Sequence, residues 1–124
     1  MLPWDTARTW WQDHSPVPFE ERLGWHLSCG LVYSTPSVFM LASEVCWNRM
    51  EILKGPPNAW FVELAVIQPS TFDPQPSTLA LLLQVAPHPH DWILFRRNNG
   101  FKIHAYRWDR FARKVGYQPL SPIT

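Results

Sequence analysis

The sequence predicts an α+β fold in which helices pack against one face of an antiparallel sheet of about four or five strands. Apolar residues recur at helical spacing in the N-terminal part, and segments rich in β-branched and aromatic residues follow. A chain of 124 residues suits a single domain, residues 1–124, built around one core. A C-terminal β-hairpin followed by a short helix completes the expected architecture.

Two helices are expected before the first strand. Residues 6–14 form a short candidate anchored by adjacent tryptophans, which needs tertiary contacts to be stable. In the second candidate, Phe19, Leu23 and Leu27 recur at helical spacing, and Gly30 follows where the helix should end. This second pattern predicts an amphipathic helix that covers the sheet.

Apolar runs predict the central strands. Residues 31–33 are expected to be extended, and residues 39–46 favour a strand, although Thr35 and Pro36 also suit the start of a helix. The nearly continuous apolar run 59–67 is typical of a central strand.

Proline divides the second half of the chain. Three prolines predict an irregular loop over residues 68–77. Residues 78–86 then suit a short buried helix that Pro87 ends. The tail, residues 117–124, is expected to be frayed.

Residues 92–106 are expected to form a β-hairpin. A three-residue loop that ends at Gly100 in the left-handed conformation would pair Phe95 with Ile103. This register places Trp92, Arg96, Lys102, His104 and Tyr106, together with Leu94, on one face of the hairpin. A two-residue turn would instead place Arg96 opposite Ile103 on the core side, which disfavours that register.

Positive charge is concentrated near the C-terminus. Seven of the 11 Lys and Arg residues lie between Arg96 and Lys114, where Asp109 is the one acidic residue. The first 95 residues contain four basic and nine acidic side chains. Such polarity indicates an anionic partner. The candidate partner-binding residues are Trp92, Arg96, Lys102, His104, Tyr106, Arg107 and Arg110.

Two classes of partner fit this positive segment. The first is an acidic protein surface, including the acidic part of a second copy. The alternative is nucleic acid, because the cations and aromatic rings of hairpin 92–106 and helix 109–115 resemble surfaces that bind single strands. The pI of 7.9 is below the strongly basic values typical of nucleic-acid domains. An ordinary solvated face explains the same residues.

The composition favours self-association. Charged residues make up 17% of the chain, below the roughly 25% of an ordinary domain, and eight residues are Trp. Because Trp is seldom fully buried, some indole rings are expected at the interface of a homodimer or another homo-oligomer, or at a protein partner. The alternative is a core unusually rich in indole.

His88 and His90 are a weak candidate for metal binding. Two histidines that alternate in an extended segment project to the same side, where they could hold zinc or a similar ion. Under the predicted hairpin register His104 lies too far from His90 to share that ion. A third ligand would have to come from a set that the sequence does not place, namely His14, His26, Cys29 and Glu44. A strand entry stiffened by proline explains the motif without an ion, so no metal or other cofactor is predicted.

Signals for catalysis are weak. The five glycines are isolated, so phosphate-cradling loops are excluded, and no serine lies in a nucleophile elbow. Glu44 and Glu63 lie in apolar strand candidates, and a pocket around them is the second alternative function, that of a small enzyme. A buried carboxylate paired with Arg22 or Arg49 explains them equally well.

The remaining signals concern location. Cys29 and Cys46 form no metal-binding or disulfide pattern and are expected to be buried thiols. The N-terminus lacks the features of a secretion signal, and no apolar run approaches membrane-spanning length. We therefore expect a small cytoplasmic, non-catalytic binding domain that associates with itself or with another protein.

Overall fold

A computed structural model describes residues 2–48, 50–68, 79–96 and 102–117. The helices are α1 (Pro3–His14), α2 (Phe19–Cys29), α3 (Leu81–Gln84) and α4 (Trp108–Lys114). The strands are β1 (Leu31–Ser34), β2 (Val38–Ser43), β3 (Cys46–Asn48), β4 (Glu51–Leu53), β5 (Ala59–Ile67), β6 (Trp92–Arg96) and β7 (Ile103–Arg107). The predicted loop 68–77, the hairpin loop and the tail 117–124 fall almost entirely outside the described residues.

Five strands form the main sheet in the order β1-β2-β5-β6-β7. This arrangement confirms the α+β class, the number of strands and the C-terminal strand followed by a helix. The sheet is mixed rather than antiparallel, since β5 and β6 run parallel. The chain crosses over between those two strands through a segment that contains α3, and a crossover of this length permits a parallel pair.

Helices cover both faces of the sheet, so the expected packing on one face is wrong. Phe39 and Leu41 of β2 pack with α1 and α2. Met40 of β2, together with Trp60 and Val62 of β5, packs with α3 and α4 on the opposite face. Strands β2 and β5 are therefore buried on both sides, which explains why their sequences are almost continuously apolar.

The register of the C-terminal hairpin differs from the predicted one. Arg96 pairs with Ile103 and Phe95 with His104, which is the register that the sequence disfavoured. That preference assumed a polar outer face on the hairpin. Because the face bearing Arg96 packs against β3 and β5, Leu94 is buried there and the guanidinium of Arg96 is hydrogen-bonded instead of exposed.

The tryptophans belong to the core rather than to an exposed surface. Trp11, Trp60 and Trp108 are buried, and the other five are half-buried. Among the described residues, the exposed large apolar side chains are Leu2, Leu27, Met50, Ile52 and Leu53. The indole-rich core, the alternative that the composition left open, is thus the observed arrangement.

Strands β3 and β4 form a separate two-stranded hairpin outside the main sheet. Trp47 of β3 packs against Trp25 of α2, with ring centroids 5.4 Å apart. Cys46 joins a small apolar cluster with Phe61 and Leu94 of the main sheet. These contacts attach β3 to the body of the domain and leave β4 on the outside.

Candidate functional site

Glu63 is the most deeply buried acidic side chain of the described structure. It lies at an irregularity in the pairing of β2 with β5, where Leu41 pairs with Leu64 but the next residue, Ala42, pairs with Val62. Glu63 is thus the extra residue of a β-bulge. A bulge bends the strand and re-aims the side chain, and here it directs the carboxylate toward α2.

Two basic side chains of α2 contact the carboxylate of Glu63. Arg22 donates from Nη1 to Oε2, and His26 Nε2 lies 2.7 Å from Oε1. Both residues lie on the buried face of α2, one turn apart. The three side chains are at most 4% exposed. The sequence predicts Arg22 or Arg49 as the partner of a buried Glu63; the structure pairs it with Arg22, and Arg49 is not among the described residues.

The imidazole of His26 is held at both ring nitrogens. Nδ1 lies 3.1 Å from the carbonyl oxygen of Ala42, which can only accept, so Nδ1 carries a hydrogen. At 2.7 Å, a proton must also lie between Nε2 and the carboxylate of Glu63, since two bare lone pairs would repel. His26 and Glu63 therefore share one proton in a buried hydrogen bond.

Gly30 permits the close approach of His26 to β2. A Cβ atom at this position would lie 2.7 Å from His26 Nδ1 and 2.8 Å from the carbonyl oxygen of Ala42. Both atoms belong to the hydrogen bond that orients the imidazole. The helix therefore ends at a residue whose lack of a side chain leaves room for the buried network.

Aromatic rings and a second arginine enclose this network. The Arg22 guanidinium lies 3.9 Å from the ring centroid of Trp47, and burial lowers its pKa against the opposing effect of the Glu63 charge. Arg96 donates to the backbone carbonyls of Glu63 and Trp47, at 3.2 and 3.3 Å. The network thereby ties α2, β5, β6 and the β3–β4 hairpin together.

The network is poorly placed for catalysis. A shallow cleft reaches it between α1 and the sheet, lined by Trp10, Trp11, His14, Asn48, Glu63 and Arg96. The carboxylate of Glu63 is only 1% exposed, and both of its oxygens are already paired. These features suit a carboxylate that stabilises the fold better than one that contacts a substrate.

Glu44 has surroundings quite unlike those of Glu63, and its expected burial is wrong. Its side chain is 58% exposed just beyond β2. It lies beside the two histidines of the Pro-His-Pro-His motif, with Oε1 3.4 Å from His88 Nε2 and 3.0 Å from His90 Nε2. The two carboxylates therefore face different groups instead of sharing one set of pocket residues.

These three residues form a compact cluster of potential metal ligands. One ligand atom from each of Glu44, His88 and His90 lies within 4.8 Å of the others. The structure thus selects Glu44 from the four possible third ligands that the sequence could not place. The ring of His90 is buried, whereas His88 and Glu44 are exposed to solvent.

The predicted partner-binding residues do not share one face. Lys102, Arg107 and Arg110 are exposed, and Arg107 lies over the half-buried ring of Trp92. Tyr106 lies on the opposite side of the hairpin, where it stacks on Phe95, and His104 is on the same side as Tyr106. Arg96 is turned inward. The combined cationic and aromatic platform expected from the sequence is therefore divided between two faces.

The two cysteines differ in exposure. Cys46 is buried as expected, and burial raises the pKa of its thiol, which keeps it protonated and unreactive. Cys29, at the end of α2, is exposed, which corrects the expectation that both thiols are buried. Neither forms part of the two clusters described above.

Comparison with known proteins identifies no relative: no family model, no curated protein and no solved structure matches this chain. Within the described residues, every helix is too short or too polar to cross a membrane. The function is therefore inferred from the geometry of the chain itself.

The exposed β3–β4 hairpin was missed by the sequence analysis. Its strands contain three residues each, below the length at which alternation is recognisable. The available signal was the pair Met50 and Ile52, two apolar residues flanking Glu51 in a short segment before the Gly-Pro-Pro turn.

Proposed function

We propose that this protein is a small non-catalytic interaction domain whose contact surface is the β3–β4 hairpin. The observation that supports it is the clustering of exposed apolar side chains. Of the five large apolar residues exposed in the described part of the chain, three lie on this hairpin: Met50 at 65%, Ile52 at 63% and Leu53 at 38%. Apolar groups clustered at one surface position mark interaction sites.

The hairpin also offers unpaired backbone groups. Within the described residues β4 pairs only with β3, so its outer edge is open. Natural proteins usually protect such edges with charges, prolines or bulges, because open edges pair with other chains. β4 contains one charged residue, Glu51, and no proline. An additional strand is the natural complement of this edge.

We assign this site to a second copy of the chain. Two identical strands can pair antiparallel about a two-fold axis, and a register centred on Ile52 places that side chain against its own copy. Met50 then lies opposite Lys54 of the second copy, whose aliphatic stem can cover it. The low charged fraction of 17% agrees with a surface that a second copy covers.

The predicted basic surface is not the main contact surface in this proposal. Its exposed residues, Lys102, Arg107 and Arg110, remain available to an acidic partner. Nucleic-acid binding is disfavoured because the platform is divided between two faces, with Trp92 and Arg107 on one and Tyr106 and His104 on the other. A pocket enzyme is disfavoured because Glu63 is enclosed and paired.

Light scattering on the purified protein tests the proposal. At micromolar concentration the wild-type mass should be about twice the 14.5 kDa of the chain, since two-fold dimers are the commonest closed assembly. The double variant M50S/I52S should have the mass of a single chain. Its fold should persist because both side chains are already exposed.

Leu27→Ser is the matched control. Leu27 is 68% exposed on α2 and lies outside the hairpin, so this variant should remain dimeric. A wild-type protein that is monomeric up to near-millimolar concentration would reject self-association. Equal dissociation of the control and the hairpin variant would reject the hairpin as the interface.

A further inference from the structure

We propose that Glu44, His88 and His90 form a zinc-binding site. Nothing in the proposed interaction function requires this site. Three features support it: the hydrogen bonds that orient the two imidazole rings, the short distances from Glu44 to both rings, and the contrast between a buried and an exposed histidine.

The orientation of the rings leaves both Nε2 atoms available to a metal ion. His88 Nδ1 lies 2.9 Å from the carbonyl oxygen of Pro89, and His90 Nδ1 lies 2.8 Å from that of His88. A carbonyl oxygen only accepts, so each Nδ1 carries the hydrogen and each Nε2 of a neutral ring presents a lone pair. Histidines that bind metals are typically oriented by this kind of backbone hydrogen bond.

The two distances from the carboxylate oxygen to the imidazole nitrogens are close to those around a tetrahedral ion. The carboxylate Oε1 of Glu44 lies 3.4 Å from His88 Nε2 and 3.0 Å from His90 Nε2. Tetrahedral zinc with bonds of about 2.0 to 2.1 Å separates its ligands by roughly 3.3 Å. Without a cation, two lone pairs and a carboxylate oxygen would face one another at these distances. Either extra protons or a metal ion must occupy the space between them.

The surroundings hold one ligand rigidly and leave the site open. The ring of His90 packs between Trp60 and Trp108, at centroid distances of 5.4 and 5.6 Å. The ring of His88 stacks on it at 4.3 Å, and this exposed side chain must turn for both Nε2 lone pairs to point at one ion. The side chains of His88 and Glu44 are more than half exposed, so an ion can enter. Three protein ligands leave a fourth position for water, as in catalytic zinc sites.

The ligand set favours zinc over the hard cations. Two imidazoles and one carboxylate suit first-row transition metals, whereas calcium and magnesium prefer all-oxygen sites. Copper and nickel bind imidazole as well and are expected to compete in vitro. Zinc is the assignment because the two distances from Glu44 Oε1 are close to those of tetrahedral coordination.

Titration of the purified protein with Co²⁺, followed by displacement with Zn²⁺, tests the site. One equivalent of Co²⁺ should bind and produce the visible absorption of a low-coordinate cobalt centre, and Zn²⁺ should abolish it. Glu44→Gln and His88→Ala should each weaken binding by at least about tenfold, because each removes one of three protein ligands. Both residues are exposed, so circular dichroism of the variants should match the wild type.

His14→Ala is the control, since His14 is an exposed histidine outside the cluster. This variant should bind Co²⁺ as the wild type does. Absence of stoichiometric binding would overturn the proposal and leave the cluster as protonated hydrogen-bond pairs. Binding that survives both Glu44→Gln and His88→Ala would overturn it too, because the ion would then lie elsewhere.

Discussion

At the scale of single residues, Glu63 shows how this protein keeps a charge inside its core. The bulge in β5 turns the carboxylate toward α2, where Arg22 and His26 each pair with one of its oxygens. Taking such groups out of water is costly, and the geometry offsets the cost only while every member is present. The network therefore makes the fold sensitive to the loss of any single partner.

Glu63→Gln should lower the free energy of unfolding by about 3 to 5 kcal/mol, because it leaves the charge of Arg22 buried without its counter-ion. Urea denaturation at neutral pH measures this. Glu20→Gln is the matched control, since Glu20 pairs with Arg8 on the surface, where a pair contributes about 0 to 1 kcal/mol. Equal effects of the two substitutions would show that the Glu63 network is not a stabilising unit.

Substitution by alanine should change the stability of the fold in opposite directions at the two glycines of the α2 region. Gly30→Ala should destabilise the fold by about 1 to 3 kcal/mol, because the new Cβ collides with His26 Nδ1 and the Ala42 carbonyl. Gly24→Ala, in open space inside the helix, should stabilise it by about 0.5 to 1 kcal/mol. Thermal melts of both variants decide this, and a stable Gly30→Ala protein would contradict the described packing.

At the scale of secondary-structure elements, the sequence predicted what depends on local pattern. Strand β5 was predicted with its observed bounds, 59–67, and α2 within two residues at its C-terminal end. The parallel pairing of β5 with β6 was missed because strand order depends on contacts between distant segments. The hairpin register was wrong because one covered face was assumed, whereas helices and the β3–β4 hairpin together cover both.

The register makes a direct prediction about two basic residues that seemed equivalent in the sequence. Arg96→Glu should destabilise the fold by about 2 to 4 kcal/mol, because it replaces the donor to the carbonyls of Glu63 and Trp47 with an acceptor. Lys102→Glu, at an exposed position, should change stability by less than about 0.5 kcal/mol. Denaturant melts measure both, and equal tolerance of the two changes would restore the predicted register.

At the scale of the whole molecule, the two proposed sites depend on features that the sequence could only partly indicate. The histidine motif was noticed, but its carboxylate ligand lies 46 positions away from His90 and is brought near by the fold. Self-association was expected from composition, but indole rings were expected to form the interface. The observed apolar surface is aliphatic and lies on a hairpin too short to show a strand pattern.

Amide hydrogen exchange at increasing protein concentration tests the central claim, that the open edge of β4 is the site of association. If two copies pair along this edge, exchange at Glu51–Leu53 should slow as the concentration rises from micromolar to near-millimolar, because amides protected in the dimer exchange through the dissociated monomer, whose fraction falls as the concentration rises. The two edge strands of the main sheet, β1 and β7, should exchange at unchanged rates. Exchange in β4 that is independent of concentration, or protection that appears along β7 instead, would contradict the account.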